Sequence, residues 1–426
     1  MKTIFQTSII LSILILAFSC KDTIKDTYII NEPIYMSYDE LRTPVNTKSA
    51  QDIIQPGKLY FKDQHIFVNE YMLGIHVVDN GDPSNPQILK FIEIPGNVDL
   101  SIKENILYAD SYVDLVAIDI SDLDNIREVA RIENAFPYMI PEYDEGVVEQ
   151  IDEEQGVITG WRKVERTVEV DPQPYYYRYY RGWAEDMTYA NVDYSASAGG
   201  SGSEFGTGGS MARFTLYDNY LYTVDISQLR LFNISDADNP VMESESYIGW
   251  NIETIFPYDQ KLFIGTQTGM LIYSLSDPSD PEYISEFNHA SSCDPVVVEG
   301  DYVYVTLRAG NLCGDNESQL DVIDISNIQS PQLLKEYPMT EPYGLGIDDS
   351  ILFVCDGNAG LKIYDASDPM TIADNKLAEY PEINAFDVIP LGDVLLLIGT
   401  DGLFQYDYSD LENITQLSFI PIYVHD

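Results

Sequence analysis

Six charged residues fall at two adjacent points of a repeating unit and could do chemistry if the fold gathers them: Lys58, Asp99, Arg213 and Asp387 at one position, Glu253 and Asp294 one position earlier. Carboxylates facing each other across a cleft can act as acid and base, and a ring of them can hold a divalent cation such as Ca2+. The set mixes bases with acids and brings no histidine. His65, His76, His289 and His425 are scattered, and the first two fall in strand-like runs, where a packed ring is the expected reading. No His-Glu-x-x-His, Gly-x-Ser-x-Gly or phosphate-binding Gly-Lys loop is present. A second recurrent acid, at Asp79, Asp119, Asp324, Asp365 and Asp407, stands just before Ser-Asp/Asn-Pro-like turns. Such side chains bond the backbone of the turn they start, and none has the alternating spacing of a calcium loop. The expectation is no catalytic residue, no metal ligand and no cofactor, with Ca2+ at the rim carboxylates as the alternative.

A third group is suited to recognition rather than catalysis. Trp161, Tyr175, Tyr176, Tyr177, Arg178, Tyr179, Tyr180, Arg181 and Trp183 lie close together, with Arg162, Lys163 and Arg166 nearby. Tyr, Trp and Arg dominate binding hot spots, and aromatic faces also stack on sugar rings. The same side chains at alternate positions would equally pack a hairpin onto a larger body.

The elements that must position these groups are repeats. Strand-like runs begin at His65, Ile106, Tyr220, Lys261, Tyr302, Ile351 and Val394, with spacings of 41, 114, 41, 41, 49 and 43. A period near 41, built of short β-branched and aromatic runs broken by Gly, Asp and Pro, is the size of one four-stranded propeller blade. The predicted fold is all-β, a seven-bladed β-propeller of four-stranded antiparallel blades over residues 58–424. An insertion at about 140–210, hairpin-like in its alternation over 157–170, separates blades two and three. Residues 195–210 are rich in Gly and Ser and read as flexible. In such a blade the d–a and b–c connections share one face. The large insertion and an eight-residue one near 309–319 both belong to that face, and long connections on a regular repeat carry specific interactions.

The wording of the units, as in Leu115-Val-Ala-Ile-Asp-Ile-Ser-Asp122 and Leu361-Lys-Ile-Tyr-Asp-Ala-Ser-Asp-Pro369, resembles the LVIVD repeat of bacterial and archaeal surface proteins. Asn233 and Ser274 replace the motif's Asp in the third and fourth copies. The whole chain is similar to lipid-anchored members of that family of Bacteroidetes type. The resemblance implies a cell-surface propeller and transfers no catalytic or ligand residue.

The beginning of the chain fits that address. Lys2 precedes an apolar run over residues 9–18, too short to span a bilayer, which ends in Ala-Phe-Ser-Cys at Cys20. This resembles a lipobox, which implies a signal peptide over 1–19 removed before an acylated Cys20. Residues 20–57 then form a tether and extended lead-in. Of the other cysteines, Cys293 and Cys313 fall within one blade and form the expected disulfide, leaving Cys355 as a small buried residue; Cys313 with Cys355 is the alternative pairing. Seventy acidic residues against 23 basic ones give a net charge of −47, which repels nucleic acid. At 45% hydrophobic residues the chain still has ample material for a core. The sequence therefore predicts an outer-membrane lipoprotein exposed at the cell surface. Its propeller is expected to be a non-catalytic binding or scaffold module for a protein partner or glycan. The alternatives are an accessory subunit of an uptake or export complex, and a cation-dependent hydrolase or lyase using rim carboxylates.

Overall fold

The computed structural model describes residues 24–143, 145–170, 207–210, 212–288, 295–308 and 318–423. It divides into two compact units, one drawn from Met1–Tyr38 and Met139–Tyr189, the other from Asp39–Tyr138 and Ala190–Asp426.

The larger unit is all-β. Among the described residues it contains six four-stranded antiparallel sheets and one of six strands. The six-stranded sheet comes first. Its four central strands are Pro56–Lys62, His65–Glu70, Gly74–Asp79 and Gln87–Glu93. Asn46–Ser49 is added to its outer edge and Thr207–Gly208 to its inner edge. The second sheet runs from Leu100–Lys103 to Arg127–Ile132, the third from Phe214–Tyr217 to Val241–Tyr247 and the fourth from Ile252–Tyr258 to Glu282–Asn288. The fifth spans Val296–Glu299 to Gln332–Pro338, the sixth Leu345–Asp348 to Lys376–Tyr380, and the seventh Ala385–Pro390 to Thr415–Pro421. Innermost strands neighbour one another in chain order, and that of the first sheet also neighbours that of the seventh. The arrangement is propeller-like.

Alternation along each strand creates the core. In the second strand of the first sheet, Phe67 joins a cluster with Leu100, Leu107 and Val116 of the second sheet. Its neighbours Ile66 and Val68 join Ile389, Leu396 and Ile398 of the seventh. Because successive side chains point to opposite faces, one strand serves two interfaces at once. The core is thus a series of layers between neighbouring sheets. Third-to-fourth strand pairings also carry a recurrent register shift, for instance between Val77 and Val78, Ile272 and Tyr273, and Gln405 and Tyr406. A bulge there strengthens the local twist of the outer strand.

The recurrent turn acids do what their spacing predicts. Asp119, Asp324, Asp365 and Asp407 each accept the N–H of the serine two residues on, at 2.8–3.0 Å, and Asp79 accepts that of Gly81 at 2.9 Å. The departures from the motif make the same bond, Asn233 Oδ1 accepting from Ser235 and Ser274 Oγ from Ser276. Any short acceptor at this position satisfies the turn, which explains why the repeat tolerates them.

Polar ties reach from sheet to sheet as well. The hydroxyls of Tyr108, Tyr222, Tyr337 and Tyr380 donate to the carbonyls of Ala237, Pro278, Pro369 and Ile414, each on the next sheet's third-to-fourth turn. Between the seventh sheet and the first, the buried amides of Gln405 and Asn80 exchange two hydrogen bonds of 2.7 and 2.9 Å. Ile53 and Ile422 form a parallel bridge between the same two chain ends.

The smaller unit is a three-stranded sheet with Ile24–Met36 in the middle. That strand pairs antiparallel with Val157–Val170 over its full length and parallel with Val147–Val148. The alternating arm over 157–170 therefore takes its partner from the lead-in, a segment remote in sequence. Gly156, at φ 128°, allows the turn into this arm, since a Cβ there would lie 1.9 Å from the Met36 carbonyl oxygen.

Gln405→Leu should destabilise the larger unit by about 1–3 kcal/mol, because it leaves the Asn80 amide buried without its partner. Urea unfolding measures this, and the double variant Asn80→Leu/Gln405→Leu should recover part of the loss.

Candidate functional site

Of the charged residues picked out in the repeat, Lys58, Asp99, Arg213, Glu253 and Asp387 stand at or beside the starts of the innermost strands. Asp99, only 2% exposed, immediately precedes the second sheet's first strand. Its Oδ1 accepts the N–H of Leu100 at 2.7 Å, and its Oδ2 accepts those of Arg213 and Phe214 at 2.6 and 3.3 Å. Lys58 Nζ, on the first sheet, lies 3.6 Å from the same oxygen. Burial pushes the Lys58 ammonium below the usual lysine range, with Arg213 acting in the same sense, while Asp99 and Asp387 pull it back up. The carboxylate of Asp387, itself buried, fits between two glycines. A Cβ on Gly209 would lie 2.5 Å from one of its oxygens, and a Cβ on Gly344 2.7 Å from the other. Only a residue without a side chain permits that approach.

Gly209 belongs to the end of the large insertion. Thr207 and Gly208 pair with Phe61 and Tyr60 on the inner edge of the first sheet, and Ser210 Oγ accepts the N–H of Leu345 on the sixth at 2.8 Å. Residues 207–210 thus lie against the innermost strands of the first, sixth and seventh sheets. The flexible reading of residues 195–210 is corrected here for the last four. Their small side chains let backbone enter a space lined by inner strands, where it finds ladder partners. The available signal was Gly-Thr-Gly-Gly-Ser itself.

Structure thus brings Lys58, Asp99, Arg213 and Asp387 into one electrostatic neighbourhood, with Glu253 joined to it through Arg213. Burial raises the Glu253 carboxyl to about 7, against the opposing pull of Arg213 and a hydrogen bond from Gln267. Asp294 lies outside the described residues. Chemically, the lone pairs of Asp99 are directed at backbone N–H groups and an ammonium of its own chain. Such an arrangement anchors a returning segment. Among the described residues, no group of three or more His, Cys, Asp or Glu is arranged to hold a metal ion.

A second recurrent device, invisible in the repeat motif, pairs an acid at or just after the second strand with a base on the third. Glu70 meets His76 at 2.9 Å, and Asp225 pairs with Arg230 and Asp356 with Lys362. These acids also accept backbone N–H groups of nearby loops, as Glu70 does from Ile54 and Gln55 and Asp356 from Thr340 and Glu341. His76 is buried against Phe91, the packed role expected of it. In the fifth sheet the charges exchange places, with Arg308 after the second strand and Asp321 on the third.

Of the recognition group, Trp161 is described. Its indole N–H donates to the Pro141 carbonyl at 2.8 Å and its ring meets Tyr143 edge-on. Arg162 and Arg166 both pair with Glu32, and Arg166 also with Glu149. These acids come from the Ile24–Met36 strand and from the residue just after Val147–Val148, segments the sequence does not place beside the two arginines. Glu32, Tyr35, Glu149, Asp152, Gln155 and Arg162 line a groove of about 570 Å³ in this unit. Tyr175, Tyr176, Tyr177, Arg178, Tyr179, Tyr180, Arg181 and Trp183 lie outside the described residues, as do Cys20, Cys293 and Cys313. Cys355 is a free, buried thiol, pushed well above the usual thiol range by that burial.

The family model of the LVIVD repeat matches residues 96–133 and 291–339. These spans coincide with the second and fifth sheets, one match to one sheet. The chain carries LVIVD repeats. Among solved structures, the periplasmic gluconolactonase PpgL of Pseudomonas aeruginosa is similar at 9% identity and a TM-score of 0.52, over 86% of this chain and 97% of that one. The computationally designed protein Ika8 is similar at 10% identity and a TM-score of 0.51, over 88% and 91%. At these identities the likeness is one of fold. No curated protein matches the chain.

Because the Glu253 carboxyl is raised from an ordinary 4.5 to about 7, the folded state keeps a proton that the unfolded state has released across that window. Its contribution therefore lowers stability as pH rises from about 4.5 to 7 and levels off above. Glu253→Gln should remove about 1–3 kcal/mol of that fall relative to the unaltered chain. Urea unfolding of both proteins at pH 5 and 7.5 checks the sign.

Proposed function

We propose that this protein is a lipoprotein anchored through Cys20 in the outer membrane and exposed at the cell surface. In this reading the seven sheets are blades of one seven-bladed propeller. They form a rigid, non-catalytic platform for a protein partner or a glycan. The order of neighbouring innermost strands, with the first meeting the seventh, supports a closed ring. One observation carries the functional reading. At the inner strand ends, where propeller enzymes keep reactive groups, Asp99 is committed to Lys58 and to the N–H groups of Leu100, Arg213 and Phe214, and residues 207–210 lie against the same strands.

The specific interaction is assigned to the insertion between the second and third sheets, with Trp161 and the Tyr175–Trp183 stretch as its contacts. The LVIVD repeats and the apolar stretch before Cys20 support the address. No helix among the described residues is long and apolar enough to cross a membrane.

Deleting residues 172–194 should leave the melting temperature of the larger unit unchanged and abolish capture of the partner from detergent-solubilised membranes. Capture that survives the deletion would remove the insertion from the contact surface. Chelation followed by millimolar Ca2+ should leave the melting temperature unmoved, since only a bound ligand stabilises by mass action. A rise that Asp99→Ala or Asp387→Ala abolishes would instead favour the cation-dependent hydrolase or lyase.

A further inference from the structure

The third tryptophan belongs to neither the insertion nor the inner strands. Trp250 follows the last strand of the third sheet and is 71% exposed; Tyr247, the final residue of that strand, is 55% exposed. Their rings meet edge to face with centroids 5.7 Å apart. Single exposed aromatics are ordinary on protein surfaces. Two features set this pair apart.

First, the loop that presents it is held at several points. Ile248 N–H donates to Ser227 at 3.1 Å, Ile252 N–H to Ile226 at 3.0 Å, and the N–H of Gln267 to the Asn251 carbonyl at 3.0 Å. Gly249 sits against Leu271 of the fourth sheet, and a Cβ there would be 3.7 Å from its methyl group. Asn251 closes the loop in a left-handed conformation at φ 53°. The rings are therefore preorganised, which lowers the ordering cost of a ligand.

Second, neutral amides adjoin the pair, at Gln228 across the strand, at Asn251 next to Trp250 in the chain and at Gln267 bonded to Asn251, while the carboxylate two residues before Tyr247, Glu245, is paired with Arg230. Gln228 is the cross-strand partner of Tyr247, within reach of its ring. The Asn251 amide donates to the Gln267 side chain, which in turn bonds the Glu253 carboxyl. The nearby cation, Arg230, is occupied by Asp225 and Glu245.

We infer that Tyr247 and Trp250, with the amides of Gln228, Asn251 and Gln267, form a binding platform for neutral saccharide. A pyranose ring has an apolar C–H face that stacks on an indole and a rim of hydroxyls that both donate and accept. An amide offers both functions, which a carboxylate or ammonium does not. Anionic sugars are disfavoured by a chain of net charge −47 whose nearby cation is already paired with two carboxylates. Two rings and three amides are also too small a patch for a stable protein interface, which takes roughly 800 Å² from each partner. This site goes beyond the binding reading above and does not use residues 172–194, so the two fail separately.

The test is native gel electrophoresis of the full chain through hydroxyethyl cellulose, laminarin, galactomannan, xylan or dextran, with alginate and polygalacturonate as acidic comparators. At least one neutral polymer should retard the protein. Trp250→Ala should weaken that retardation about tenfold or more, as for an anchoring aromatic. Deletion of 172–194 should leave it intact. Because Trp250 is exposed, its replacement should not move the melting temperature. As a readout independent of that variant, Trp161→Phe/Trp183→Phe leaves Trp250 as the sole indole, whose fluorescence should shift on titration with oligosaccharides of the retarding polymer. No retardation by any neutral polymer, retardation by the acidic ones alone, or equal retardation of Trp250→Ala would each overturn the proposal.

Discussion

A four-stranded sheet with apolar side chains on both faces cannot exist alone in water. Every other feature of the larger unit depends on each sheet being covered on two sides. Phe67 faces one neighbour and Ile66 the other, and the same division recurs between Phe353, which packs toward the seventh sheet, and Leu352 and Val354, which pack toward the fifth. In an open stack the two end sheets would each leave one face wet. Here the first and seventh cover each other through Leu59, Ile66, Val68, Ile389, Leu396 and Ile398, with the Asn80–Gln405 amide pair and the Ile53–Ile422 bridge at the junction. Each four-stranded core of a sheet is continuous in sequence, so side-chain packing and a few hydrogen bonds join the ends of the chain.

Packing of this kind sets where charges end up. Innermost strands converge, so the residues that begin them approach one another whatever their type. Lys58, Asp99, Arg213 and Asp387 illustrate the consequence. Buried charge has to be neutralised or hydrogen-bonded, and here the chain supplies the partners from its own backbone at Arg213 and Phe214, where the third sheet begins. Gly209 and Gly344 make room for the Asp387 carboxylate between them. The same logic operates further out, where acids at the second-strand ends bind both a base and the N–H groups of nearby loops.

In a chain so acidic, position decides what each carboxylate does. Turn acids such as Asp365 and Asp407 sit on the surface, and hydrogen bonds from the following serine hold their carboxyls below the usual range. Asp110 and Glu253 lie where burial raises them to about 7, even though each accepts hydrogen bonds that oppose the shift. The difference is desolvation, and composition says nothing about it.

Period and alternation were enough to predict the β-sheets, their strand order within each repeat and the turn chemistry, because these are local. A 41-residue spacing fixes one sheet, a two-residue alternation fixes its two faces, and an Asp two residues before a turn N–H bonds it in any context. Aligning the repeats even picked out residues that meet at the inner strands. Sequence did not disclose that Ile24–Met36 would pair with Val157–Val170, that Glu32 would take up Arg162 and Arg166, or that a Gly-rich stretch would line the inner strands. Nor did it single out Trp250 from the buried aromatics around it. Those outcomes join residues far apart along the chain, and no local pattern encodes which distant strand, charge or cavity will be the nearest once the sheets have packed. Only the tertiary structure decides that.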